Sequence, residues 1–505
     1  MKIIAFILSL LLCFTMVGCV VKQTVKTTPK TSTTTITSTT TSITTSNGGQ
    51  GGSNVNPENP NENGSNNQNN RDGYVIYINL DGFGKYYYDI AKSRNLVPTL
   101  QSILGEGVVF TNLKTLSPSI TNPCQAMIIS GASSSKTGNV YRYYDKTLNL
   151  VIQQQRENNA DTIYDSVIRN GVKAATIMHF PAESVFTLTN KNALYIKTPS
   201  GVVSNAMARF DQAIKLIKQE QITNDTILTN IDEIPRFISI YCDDLDALGH
   251  NESAYDTFSV ATSESERVDN VVTRLAQIDA KLAELIQACK DAGIYDKTTF
   301  FLTTDHGMQG FGAETTLGTW TSKYSKTKWP ELKEKLAEID SSYVFEYVAP
   351  NASPKSGTTV IGCGSGLQMP LTFKEAHTEA QLQEIKVELL KEYYIADVLT
   401  RTELAKLGFW MGANVDLLVI PAERYHFHGR DNSSMYYAVR GQHDTISEHA
   451  TVIYGAIWGA GIKNLGEFDG EYYNTSFGST MAYMLGVDLK NANASVIYDI
   501  LESED

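Results

Sequence analysis

Three short apolar runs set most of what this chain can become. Tyr74–Leu80 reads Tyr-Val-Ile-Tyr-Ile-Asn-Leu and ends on Asp81; Arg236–Tyr241 reads Arg-Phe-Ile-Ser-Ile-Tyr and is followed by Asp246 and His250. The third, Thr298–Thr303, reads Thr-Thr-Phe-Phe-Leu-Thr and leads into Thr304, Asp305 and His306. Runs this short, rich in β-branched and aromatic residues, suit strands covered on both faces. Further strands are expected at Val108–Phe110, Lys173–His179, Val415–Ile420 and Thr451–Ile457. Between the strands lie stretches of helical period at Val97–Leu104, Thr162–Asn170, Met207–Lys218, Val268–Ala292 and Glu379–Tyr393. The longest repeats Val271, Leu275, Ile278, Leu282 and Leu285, one buried stripe at 3–4 spacing. The alternation predicts an α/β fold with a mostly parallel central sheet and helices on both faces. A chain of 505 residues with 42% hydrophobic content can fill such a core.

In an open parallel sheet, ligands bind beyond the carboxyl ends of the strands. Three runs therefore deliver carboxylates and imidazoles to one edge. Taken singly, each motif has a plain structural reading. Asp81-Gly82-Phe83-Gly84 reads as an ordinary turn, and Asp246 to His250 as a loop with a helix cap. Gly441-Gln442-His443-Asp444 is equally unremarkable alone. Thr304-Asp305-His306-Gly307-Met308 is the most telling, because adjacent Asp and His at a strand end have little structural purpose. Together the motifs supply three Asp and three His, the oxygen and nitrogen ligands that zinc takes, enough for two sites sharing one cleft.

Thr121 completes the set. Ser117 to Gly131 reads as a loop feeding a helix, with Pro123 in the first turn and Gly131 at the stop. Thr121 then stands at the helix start, either as a plain cap or, beside a metal, as a nucleophile with a lowered hydroxyl pKa.

These motifs, in this order and over nearly all of residues 74–505, resemble the alkaline phosphatase superfamily, in its type I phosphodiesterase and nucleotide pyrophosphatase branch. The resemblance implies two zinc ions. Asp246, His250 and His443 would hold one, and Asp81, Asp305, His306 and the Thr121 oxygen the other. It implies hydrolysis of phosphate esters in two displacements through a phospho-threonine. Relatives place an Asn donor after the nucleophile helix. Gly138-Asn139-Val-Tyr-Arg142 is one residue short of that pattern, so Asn139 is expected to bind the phosphate, with Arg142 as its rival. The Thr-Asn-Pro wording around Thr121 is also similar to phosphonoacetate hydrolase, and no Cys-x-Pro-x-Arg sulfatase motif is present. The alternatives are a phosphomonoesterase, a phosphonate hydrolase, a phosphomutase, or a binding protein on a degenerate phosphatase fold.

The N-terminus gives location. Lys2, the apolar Ile3–Phe14 and Met16-Val17-Gly18-Cys19 resemble a bacterial lipoprotein signal, with Cys19 acylated. Simple secretion, or retention of Ile3–Val21 as a marginal span, are the other readings, and all three put the body outside the cytoplasm. Residues 20–73, rich in Thr and Ser and then in Asn and Gly, are expected to be a disordered tether. A formal charge of −13 argues against nucleic-acid backbone as a partner, and the small phosphate ester that the resemblance implies would need local positive charge, which metal ions supply. A cap insertion is expected at 312–440, where Trp320, Trp329, Phe345, Tyr347, Phe409 and Trp410 cluster and substrate choice would reside. His426 and His428 are read as strand or turn residues rather than a metal pair. Cys124, Cys242, Cys289 and Cys363 match no zinc spacing and show no pairing pattern.

Overall fold

A computed structural model describes residues 73–198, 205–312, 326–429 and 439–503. The expected signal and almost all of the expected tether lie outside them. Among the described residues no helix is long and apolar enough to cross a membrane.

The central sheet has eight strands. Their order across it is Gly466–Phe468, Gly107–Phe110, Ala456–Gly459, Thr298–Thr303, Tyr74–Leu80, Phe237–Cys242, Ala174–Ile177 and Ala193–Ile196. All neighbours run parallel except at Ala456–Gly459, which is antiparallel to both of its partners. The sheet is mostly parallel, as expected, with one reversed strand that composition alone does not reveal.

Strand alternation sorts the core into two layers. Ile76, Ile78 and Leu80 face Phe210, Val271, Leu275, Ile278 and Leu282 from the helices Ala206–Ile217 and Glu264–Asp291. Val75 and Tyr77 face the other way, toward Ile128, Ile129, Tyr164, Phe477 and Met481 from Thr121–Ser130, Ile163–Arg169 and Thr475–Leu485. Each fully buried Val, Leu or Ile contributes about 1.5–3 kcal/mol relative to exposure. The helix Glu264–Asp291 begins four residues before the expected Val268. Ser263 caps it by accepting from the Glu266 N–H, and its polar first turn carries no apolar period.

Two strand expectations need correction. Thr451–Ile457 is not one strand: Glu448–Thr451 is a helical turn, and the strand starts only at Ala456. The carbonyls of Ala450 and His449 accept from the N–H groups of Gly307 and Met308, which holds this stretch as a clamp on the loop after Asp305 and His306. The expected strand Val415–Ile420 forms as Leu417–Pro421 but belongs to a second sheet. That sheet has the order Phe345–Tyr347, Val360–Gly362, Met369–Phe373, Leu417–Pro421 and Ile395–Thr400, with its own core under the helices Trp329–Ile339 and Glu379–Leu389. Trp329 and Phe345 are buried in that core rather than offered to a ligand. Cys124, Cys242, Cys289 and Cys363 are buried free thiols.

Candidate active site

Tyr74–Leu80 is flanked by Thr298–Thr303 and Phe237–Cys242 in parallel register, with Asn79 opposite Thr303 and Leu80 opposite Cys242. The three strands therefore end level, and the segments leaving their carboxyl ends converge. The Asp81 N–H continues the ladder by donating to the Cys242 carbonyl at 2.8 Å. Gly82 then turns with φ +76°, and a Cβ there would meet the Asp246 Cα at 2.8 Å, so only glycine lets the next element come this close. That element is the short helix Asp244–His250, whose i,i+4 spacing puts Asp246 and His250 on one face, Oδ1 to Nε2 3.3 Å.

His443 arrives by a different route. Gln309–Phe311, directly after Met308, pairs antiparallel with Arg440–Gln442, so the ribbon carries His443 back to His306. The two rings stack with centroids 3.7 Å apart. Ser119 secures the return, its carbonyl accepting from the Asp444 N–H at 3.0 Å.

Around His306 Nε2 lie Asp81 Oδ1 at 3.4 Å, Asp305 Oδ2 at 3.5 Å and Thr121 Oγ1 at 3.1 Å. Around Asp246 Oδ1 lie the Nε2 atoms of His250 at 3.3 Å and His443 at 3.7 Å. The site thus joins all seven residues expected from the motifs. Asp81, Asp305 and His306, and likewise Asp246, His306 and His443, place their ligand atoms close enough to share an ion.

Three observations test whether these residues fit metals. Among the described residues, Asp81 Oδ1, Asp246 Oδ1 and Asp305 Oδ2 are buried and have no hydrogen-bond partner. The opposite oxygens are satisfied at two of these carboxylates. Tyr241 O–H donates to Asp81 Oδ2, and Asp305 Oδ1 accepts from Gly82 N–H, the Thr304 hydroxyl and His306 N–H at 3.3, 3.1 and 3.0 Å. Second, each imidazole gives its Nδ1–H to a backbone carbonyl: His250 to Gly441 at 3.0 Å, His306 to Gly307 at 3.0 Å and His443 to Ser119 at 2.8 Å. That fixes one tautomer and leaves three Nε2 lone pairs for cations. Third, among the described residues no Lys or Arg lies within ion-pair distance of the three carboxylates. Buried charges of one sign need compensation, and divalent cations supply it. The donor set fits metal.

Without that compensation the protons redistribute. Burial, with Asp305 and Asp246 nearby, pushes the Asp81 carboxyl well above its usual range. Burial works against the charged forms of Asp246 and His250, yet their mutual attraction outweighs it, holding Asp246 low and raising His250 to about 9. Burial and the neighbouring His306 hold His443 well below the usual imidazole range.

Thr121 opens the helix Thr121–Ser130, which ends at Gly131 in the left-handed conformation. Because His306 Nδ1 carries the ring proton, the Thr121 hydroxyl donates to His306 Nε2. A cavity of about 340 Å³ opens in front of it, lined among others by Asn122, Tyr141, Arg142, Ser365, Gly366 and Asp444.

The expectation for Asn139 is corrected. Its side chain is fully buried, Nδ2 donating to the carbonyls of Gln155 at 3.3 Å and Glu157 at 2.9 Å, and Oδ1 accepting from Tyr141 N–H. No donor remains for a phosphate. Tyr141 instead turns through φ +67° and brings itself and Arg142 to the cavity. Arg142 donates to Gln153 Oε1 and the Gly364 carbonyl, both neutral, and has no carboxylate at ion-pair distance among the described residues. His426 packs edge-on against Phe311 and His428 sits 3.3 Å from the Ser365 carbonyl; neither joins the metal-donor groups. Sequence reasoning passed over Asn122, although it adjoins Thr121. It also passed over Ser365 and Gly366, although the glycine-rich stretch Gly362-Cys-Gly-Ser-Gly366 signals close backbone approach; a Cβ on Gly366 would meet Asp444 at 2.4 Å.

Comparison with known proteins agrees with this geometry. The chain is 23% identical over 243 residues to an ectonucleotide pyrophosphatase/phosphodiesterase of Caenorhabditis elegans, and 24% identical over 241 residues to a bis(5'-adenosyl)-triphosphatase of Xenopus laevis. Each match takes in 46% of this chain, but only 26% and 47% of those relatives' own lengths. Two structures of murine ectonucleotide pyrophosphatase/phosphodiesterase 5 share the fold with TM-scores of 0.55 and 0.56, at 15% and 14% identity. Each covers 85% of this chain and 100% of its own; the second is an inactive threonine-to-alanine variant in complex with AMP. The family profile described as type I phosphodiesterase / nucleotide pyrophosphatase matches residues 75–446, and the chain belongs to that family.

Proposed function

We propose that the chain is a phosphodiesterase/pyrophosphatase-type hydrolase that holds two zinc ions and works through a phospho-threonine on Thr121. The observation that carries this reading is the pairing of three buried carboxylate oxygens, without a hydrogen-bond partner among the described residues, with three imidazole Nε2 atoms, that of His306 lying at the Thr121 hydroxyl. Asp246, His250 and His443 would hold one ion, and Asp81, Asp305, His306 and Thr121 Oγ1 the other. Bound there, the pair would supply Lewis acidity to the phosphoryl oxygens and to the Thr121 hydroxyl. The free N–H groups at the helix start favour the anionic phosphate. Thr121 Oγ1 forms the new bond to phosphorus, the ester P–O bond breaks, and its electron pair leaves with the departing oxygen. Water then cleaves the phospho-threonine and restores Thr121. The murine structural neighbour holding AMP is in keeping with a nucleotide-sized substrate.

A diester has a second ester group to place. A cavity of about 230 Å³ shares Asn122 with the first and has a mixed lining, Arg156, Asn158 and Asp165 beside Ile129 and Phe180, which offers that group room next to Thr121. The expected result is a higher kcat/KM for bis-p-nitrophenyl phosphate than for p-nitrophenyl phosphate, with a nucleotide and a phosphonate measured beside them. A second reading, phosphomonoesterase or phosphonate hydrolase, is favoured by Arg142, which lines the cleft and whose hydrogen bonds among the described residues go to neutral acceptors. A monoester preference of tenfold, about 1.4 kcal/mol of transition-state discrimination, would select it. No turnover of any of the four would indicate a non-catalytic binding protein.

The proposed place of action is the outer face of the cell membrane, through a lipid on Cys19. Cys19→Ser is expected to shift the protein from the membrane fraction to the medium, or to leave an uncleaved precursor. Unchanged membrane recovery with normal signal removal would rule the anchor out.

A further inference from the structure

Beneath the site, on the side away from the cleft, lies a chain of buried polar groups that the reaction does not touch. His179 is at its centre and is fully buried. Its Nε2 is 2.9 Å from Gln125 Oε1, its Nδ1 meets the Tyr164 hydroxyl, and its ring stacks on Tyr241 with centroids 5.4 Å apart and planes 16° from parallel. Gln125 lies one turn after Thr121 in the same helix. The Gln125 amide donates on to Asn79 Oδ1 at 2.9 Å, and Asn79 stands two residues before Asp81. Tyr241, on the other side of the ring, donates its hydroxyl to Asp81 Oδ2.

The donors of this network run in one direction. Because Gln125 Nε2 donates to Asn79, its Oε1 must accept, so His179 Nε2 carries the ring proton and Nδ1 accepts from Tyr164. Burial lowers the His179 pKa to about 3, so the ring stays neutral and the order does not reverse in ordinary buffers. A phenylalanine would fill the same space without the desolvation that a buried imidazole and amide incur. We propose that His179 is a positioning residue: it ties the helix carrying Thr121, through Gln125, to Asp81, through the stacked Tyr241, beside the direct Gln125–Asn79 bond. One ring thereby helps fix the position of the Thr121 oxygen relative to Asp81, which would hold the metal. A misplacement of about 1 Å at a reacting pair costs on the order of a hundredfold in rate, which gives a distant ring real leverage.

The inference rests on Thr121 as nucleophile and Asp81 as ligand. Its test is a double-mutant cycle on the full chain, with bis-p-nitrophenyl phosphate as substrate and KM, zinc content and Tm read alongside kcat. His179→Phe keeps the stacked ring and removes both hydrogen bonds; Gln125→Met keeps the shape of the amide without its polarity. Each is expected to lower kcat at least tenfold with KM and zinc within twofold of the parent. The double variant is expected to lose no more than the worse single one, because both act through one link. A folded His179→Phe with kcat within twofold of the parent would overturn the proposal, whatever its Tm, and so would losses that multiply in the double variant. If His179→Phe is not recovered folded, Gln125→Met decides by the same twofold limit. A parent chain without phosphoesterase activity would instead remove the functional reading, and the positioning role with it.

Discussion

Thr121→Ala is expected to lower kcat by at least about 10³-fold, as loss of the proposed nucleophile would when the groups around it act as a unit. The folded state changes little. Thr121 is not the cap of its helix, since Ile120 holds that position with no side-chain bond, and among the described residues the hydroxyl hydrogen-bonds to His306 Nε2 alone. Removing one such bond costs about 1 kcal/mol or less, a shift of roughly 1 °C in Tm for a body of this size. Stopped-flow or steady-state rates beside a melting curve check both halves of this expectation. A variant that keeps near-normal kcat would show that another group attacks phosphorus. One that loses its cooperative melt would show that Thr121 is structural. Serine at the same position would keep an attacking oxygen, so Thr121→Ser is expected to lie between the two.

Much of this site is visible in the chain before it folds, and the reason is local. Asp81, Asp246 and Asp305 each follow a run of buried strand residues, and a parallel sheet sends every strand's carboxyl end to one edge. His443 is different. Its place depends on Gln309–Phe311 finding Arg440–Gln442, two three-residue strands of mixed polarity with no apolar period to announce them. Only the resemblance of motifs suggested it. Asn139 fails for a similar reason. The turn is one residue shorter than the family pattern, Tyr141 takes a positive φ, and the amide that looked available folds back onto the Gln155 and Glu157 carbonyls. The reversed strand Ala456–Gly459 could not be foreseen either, because strand direction is set by the connection and not by composition. In the region expected to be a cap, Trp329 and Phe345 stabilise a second sheet, Trp320 lies outside the described residues, and among the described residues Ser365 and Gly366 line the cavity.

His306 is the residue on which the metal argument turns, and His306→Ala carries the other large expected effect. Its Nε2 faces Asp81, Asp305 and Thr121 together, and its ring lies against His443 of the neighbouring donor group. Alanine removes the nitrogen ligand that faces these oxygens. It leaves Asp81 Oδ1 and Asp305 Oδ2 buried with like charges and without the imidazole, an arrangement that costs several kcal/mol unless a proton or another cation arrives. Zinc is therefore expected to fall from about two ions per chain to one or fewer. Activity should fall by at least about 10³-fold and recover little with added zinc. His250→Ala is the matched control. That side chain is 20% exposed at the rim, against 0% for His306, so water can take its place as a ligand and excess zinc should restore part of the rate. Elemental analysis and kcat at rising zinc concentration separate the two variants. Equal rescue of both would mean that His306 is no deeper in the site than His250, and zinc content unchanged in His306→Ala would mean that no ion depends on it.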